Sequence, residues 1–151
     1  MRKTYLTLFL LVISPLLSLA NTQYTPSEIR AAVRQAGGPE GFIRQLASGT
    51  AKMAGQMIDD QTQITGAIAT ERTLVYYIRY INYDKSDVPN ISAFRQKIAT
   101  RNAPLVCTAP VASILINEYG AGYKYMMYSK TREYLFDYTL NKVTCSPNYR
   151  W

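Results

Sequence analysis

The side chains able to do chemistry here are carboxylates, lysines, hydroxyls, tyrosines and two cysteines, because the 151 residues contain no histidine. That absence removes the usual general base near neutral pH, the commonest zinc ligand and any Ser-His-Asp or Cys-His arrangement. Asp59-Asp60 and Glu118 are the candidates for acid/base work of the glycosidase kind. Such work needs two carboxyl groups facing one substrate, whereas sequence neighbours usually point apart, so a polar helix end is the simpler reading of Asp59-Asp60. Asp84-Lys85-Ser86-Asp87 offers oxygen ligands but lacks the glycine and terminal glutamate of an EF-hand loop, and it reads as a solvated turn. Gly120-Ala121-Gly122 has too few glycines for a phosphate cradle. Asn90-Ile91-Ser92 matches the N-glycosylation sequon, and a helix cap explains it equally well. The residues specify no metal, cofactor or catalytic set, and the chain reads as a non-enzyme. The opposing reading, a carboxylate-dependent cell-envelope hydrolase, requires Asp59, Asp60 or Glu118 to converge in a cleft.

The first twenty residues read as a secretory signal peptide. Met1-Arg2-Lys3 is basic, residues 6–19 are mostly apolar, and Ser18-Leu19-Ala20 suits cleavage before Asn21. The apolar run is short for a membrane span and is broken by Ser14-Pro15. No cysteine follows Ala20 to carry a lipid, so no stable anchor is expected after cleavage. Residues 21–151 then form a single exported domain, periplasmic or secreted. Without the leader's two basic residues, the 17 Lys and Arg fall to 15 against 10 Asp and Glu. That excess weakly favours acidic partners or envelope surfaces, and otherwise aids solubility.

In an oxidising compartment Cys107 and Cys145 are expected to form a disulfide; no CxxC spacing or activating histidine argues for a reactive thiol. On the chain-entropy account, closing such a loop stabilises by about 4 kcal/mol.

The elements that must position these groups follow from pattern. Thr25-Pro26-Ser27-Glu28 carries a capping box with proline at the first helical position, and Gly37-Gly38 ends that helix. Pro39 opens a second helix, whose buried stripe is predicted as Phe42, Leu46, Met53 and Met57 and whose end lies near Asp59-Asp60. The period then changes to two. Thr62, Ile64, Gly66 and Ile68 share one face of a strand, and residues 73–83 form a second strand with Leu74, Tyr76, Ile78 and Tyr80 on one face. Asn90 caps a helix burying Ile91, Phe94 and Ile98 and ending near Asn102 before Pro104; Pro110 opens another, closed by Gly120. Residues 123–128 and 134–141 alternate as a second hairpin. The expectation is an α+β domain: an antiparallel four-stranded sheet of two hairpins, helices on one face and one disulfide. Phe42, Leu46, Ile78, Phe94, Ile114 and Phe136 should share its core. One cysteine before a short helix and one after a final hairpin resembles small exported proteins of bacteria.

Tyrosine is the compositional outlier, with 13 in the chain and all but Tyr5 beyond the leader. Interleaved with Arg79, Lys124 and Arg132, such rings could stack bases, but export argues against nucleic acid. Packing in the sheet accounts for most of them, with protein recognition as the functional alternative. Tyr77, Arg79, Lys124, Met126 and Tyr128 alternate away from the apolar face and are predicted as a partner-binding patch. The resulting reading is a non-catalytic exported protein-binding domain with an envelope or secreted protein as partner. It is compatible with an immunity-type inhibitor or an accessory of an envelope secretion or conjugation system.

Overall fold

A computed structural model describes residues 24–151. The expected leader lies outside them. Helix α1 (Pro26–Gln35) begins at the capping box: the Glu28 amide donates to Thr25 Oγ1 at 3.3 Å, and the Thr25 amide donates to the Glu28 carboxylate at 2.7 Å. The Thr25 amide, with the Thr25 hydroxyl donating to the same carboxylate at 2.9 Å, holds the Glu28 carboxyl below the usual glutamate range. Gly37 and Gly38, both at positive φ, turn the chain into α2 (Pro39–Ala51). Gly41 is obligatory there, because a Cβ would sit 1.9 Å from the Ala36 carbonyl oxygen.

Helix α2 buries Phe42, Ile43 and Leu46 but stops at Ala51, earlier than predicted. Met57 is therefore 45% exposed and no part of its stripe. The cause is local. Gly55, at φ 92°, sends residues 55–58 back along the first strand, where the Gly55 amide donates to the Ile64 carbonyl and the Ile64 amide to Gln56.

The sheet comprises β1 (Thr62–Thr70), β2 (Thr73–Tyr80), β3 (Gly122–Tyr128) and β4 (Tyr134–Leu140), in that spatial order. Both hairpins form, but β2 and β3 run parallel, with Tyr76 opposite Tyr125, so the sheet is mixed and not purely antiparallel. The reason is the connection. It carries α3 (Ile91–Thr108) and α4 (Pro110–Tyr119), and this helical crossover returns the chain to the same end of the sheet.

Strand β1 also departs from simple alternation. A bulge between Ile64 and Gly66 sets Gly66 opposite Tyr77, after which Ala67 and Ala69 take the inner positions beside Tyr76 and Leu74. Ile68 is consequently 45% exposed, on the face opposite to Ile64.

Helix α3 is capped as predicted, with Asn90 Oδ1 accepting from the Ala93 amide at 2.9 Å. It runs past Asn102 and through Pro104 to Thr108. Ala103 and Val106 extend the buried side begun by Ile98 and Ala99, and the Thr108 hydroxyl bonds back to the Pro104 carbonyl at 2.7 Å. This packing and side-chain bonding carry the helix across a residue that removes one ladder donor. Cys107 precedes α4, as expected, but itself lies inside the last turn of α3, and its disulfide to Cys145 ties α3 to the segment after β4, with Cα atoms 5.6 Å apart.

Helix α2 packs on β1 and β2 and α3 on β4, while α1 and α4 pack on each other and on these two. Phe42, Leu46, Ile78, Ile114 and Phe136 are buried in one core; Phe94 is half-buried, edge-on to Phe136 at 5.7 Å. Tyrosines fill the rest. Tyr76, Tyr125 and Tyr138 stack across three strands, with ring centroids 5.1 and 5.0 Å apart.

Candidate protein-docking site

Among the described residues the helices pack on one side of the sheet, and none of them covers the other face. There the parallel register sets Tyr77 opposite Met126 and Arg79 opposite Tyr128, with Lys124 one step along, opposite Val75. The structure thus brings Tyr77, Arg79, Lys124, Met126 and Tyr128 together on one face, each half-buried by its lateral neighbours. The Tyr77 and Tyr128 rings are 6.3 Å apart. Ile68, exposed beside the buried Val75, extends the apolar part toward the β1 edge.

The charges on this face differ in how they are held. Lys124 Nζ lies 3.6 Å from Asp137 Oδ2, and that oxygen also accepts from the Tyr134 hydroxyl at 2.8 Å. Arg79 has a neutral partner: one guanidinium nitrogen donates to Gln63 Oε1 at 2.5 Å, while Nε is buried without a partner among the described residues. Around Arg79 the surface sinks into a pocket of about 690 Å³, walled by Gln63 and Thr65 of β1, Tyr77, Tyr128 and Arg132, with Ala54 and Gly55 at its edge. Pattern reading placed the β2 and β3 contributors but missed Gln63, Thr65 and Ile68. Glycine inside a strand pattern, Gly66, was the available signal for the bulge that reorganises them.

A second concavity, of about 530 Å³, lies on the helical side between residues 58–62 and α3. Its walls include the rings of Tyr80, Tyr125 and Tyr138 and the exposed Leu105, with Asp59 and Asp60 contributed by one side and Lys97 and Arg101 by the other. The sequence reading did not find it, because a helix ending at Asn102 would leave out Leu105 and Val106.

Two of the three carboxylates of the hydrolase reading are held by neighbouring groups. Asp59 Oδ1 accepts the Gln61 and Thr62 amides at 2.8 and 2.7 Å, fixing the entry to β1. Glu118, on α4, receives two bonds from Arg30 of α1 at 2.8 and 2.7 Å, and this guanidinium holds its carboxyl below the ordinary range. Asp59 and Asp60 share the helical-side cleft without Glu118. Among the described residues no cluster of three or more His, Cys, Asp or Glu could hold a metal ion, and no helix is long and apolar enough to cross a membrane.

No known protein family matches the chain, and no curated protein matches it. Solved structures do share its fold. A Pseudomonas aeruginosa protein described as secreted superposes with a TM-score of 0.60 at 10% identity, over 76% of this chain and 96% of its own. The pilotin EpsS of the Vibrio vulnificus type 2 secretion system gives 0.59 at 10% identity, over 79% and 99%. The type II secretion system pilotin AspS from Vibrio cholerae gives 0.53 at 14% identity, over 76% and 95%. The chain therefore has the same α+β architecture as these proteins, across nearly the whole of each.

Proposed function

We propose that this protein is an exported, non-catalytic protein-binding domain serving as an accessory of a cell-envelope secretion system. The uncovered face around Tyr77, Arg79, Lys124, Met126 and Tyr128 is its docking surface. The observation that carries the reading is this aromatic face, left bare by the helices, on a fold shared with two secretion-system pilotins. Tyrosine suits the task because it offers a large rigid contact area and a polar tip at low entropic cost. The leader-like N-terminus supports export, with cleavage before Asn21 and an envelope or secreted protein as partner.

The test is capture from envelope extracts on immobilised mature protein, repeated with Tyr77→Ala and Met126→Ala. Recovery of a secretion-system component, lost with these substitutions while the fold is retained, is the expected result. Recovery of a toxin in its place would move the reading to an immunity-type inhibitor. Loss with Leu105→Ala but not with Tyr77→Ala would move the contact to the cleft beside α3.

A further inference from the structure

We infer that the pocket around Arg79 and Arg132 is an anion site, and that its ligand is the carboxylate of an acidic segment on the protein partner. This rests on the docking role proposed above and specifies the chemistry of the partner. Among the described residues, Arg30, Arg72, Lys124 and Lys130 have carboxylate partners, whereas no salt bridge involves Arg79 or Arg132. Both line the same pocket, and no aspartate or glutamate lines it with them. Gln63 holds one nitrogen of Arg79 without neutralising it, and burial of part of that guanidinium strips it of solvent. A partly desolvated guanidinium with no counter-charge is matched by an incoming carboxylate, which forms short charge-assisted bonds with it.

Arg132 adds a second, backbone observation. It has φ 67°, in the left-handed region that a long side chain adopts at a cost, in a turn where glycine would fit without strain. The turn is held by its neighbours: Ser129 is fully buried, its amide donates to the Glu133 carbonyl at 2.9 Å, and its Oγ accepts from the Glu133 amide at 3.1 Å. The turn thus fixes the backbone of an arginine at the rim of a pocket that already holds one. The flanking Tyr77 and Tyr128 give an acidic peptide apolar area to lie on, which a small inorganic ion would not use. That favours a polypeptide as the source of the carboxylate.

The test uses a fluorescent tetra-glutamate peptide and its tetra-glutamine counterpart on the mature protein. Inorganic phosphate and phosphatidylglycerol vesicles serve as competing anions, and Lys142→Gln as the control for loss of one positive charge elsewhere. Arg132→Gly should leave the melting temperature unchanged or raised while weakening tetra-glutamate binding by about tenfold, the loss of one charge-assisted contact. Arg132→Lys should retain most of the binding, and Lys142→Gln should have little effect. Equal binding of the two peptides, equal loss with Lys142→Gln, or vesicles binding through Arg132 while the peptide does not, would each overturn the inference. Partner capture that depends on Tyr77 but not on Arg132 would overturn this site and leave the docking role standing. Arg132-dependent peptide binding with no capture would do the reverse.

Discussion

The two faces of this sheet are built from the same strands and the same residue type, yet they use tyrosine in opposite ways. On the helical face, Tyr76, Tyr123 and Tyr138 are fully buried, and the Tyr76 and Tyr123 hydroxyls find no partner among the described residues. On the other face Tyr77 and Tyr128 lie at 6.3 Å, half-buried and lining a pocket with two arginines. Which face a ring occupies is set by a single step in register, and the step changes its role from filling volume to presenting surface.

The largest effect should come from truncating the inner face. Phe136, 3% exposed and in edge contact with Phe94, should cost about 3 to 5 kcal/mol when replaced by alanine, read as a fall in denaturation midpoint. Breaking the disulfide with Cys145→Ser should cost about 2 to 5 kcal/mol, because it frees a 38-residue loop between α3 and the tail. Equal stability of the oxidised and reduced proteins would remove that account.

Alkali should separate the inner rings next. Burial raises Tyr76, Tyr123 and Tyr125 above the ordinary tyrosine value of 10.0 and pushes Tyr138 up to about 12. Their folded pKa values exceed the unfolded ones, so the stability they contribute is intact below pH 10 and is lost as pH rises through 10 toward 12 and beyond. Tyrosinate absorbance from these rings should therefore appear together with cooperative unfolding, as judged by far-UV circular dichroism. Smooth ionisation with the fold retained would show that the inner face is open to water.

The smallest effect on the fold should come from the outer face. Tyr77→Ala should change stability by within about 0.5 kcal/mol and cost about 1 to 2 kcal/mol in partner affinity, measured by calorimetry on the captured partner. A large loss of stability would make the outer tyrosines structural and erase the contrast between the faces.

Legibility in the sequence followed the same divide. The inner face of β2 was readable because Leu74, Tyr76, Ile78 and Tyr80 alternate without interruption, and all four are buried. The outer patch was placed by the same alternation. What pattern could not see was anything decided by the third dimension. The parallel seam depends on how a 41-residue connection crosses the sheet between Tyr80 and Gly122, and local periodicity contains no record of strand direction. Pro104 signalled a helix end, but the burial of Ala103 and Val106 and the Thr108 side-chain bond outweighed it. The bulge at Thr65 shifted β1 by one residue, which exposed Ile68 and brought Gln63 to Arg79. The anion pocket was hidden for the same reason, since its walls come from three strands, a turn and the Ala54–Gly55 bend.

The parallel seam also bears on how the chain reaches its structure. Each hairpin joins neighbouring stretches, but Thr73 pairs with Gly122, forty-nine positions further on, and every other rung between β2 and β3 spans the same interval. The central ladder therefore closes larger loops than either hairpin and carries the highest contact order in the sheet, the kind of pairing that is slow to form. Cys107 and Cys145 both lie in the later half of the chain, so their bond can be made before the seam exists and cannot hold it shut. Until that seam closes, the edges of β2 and β3 that face each other are unpaired and open to any other strand.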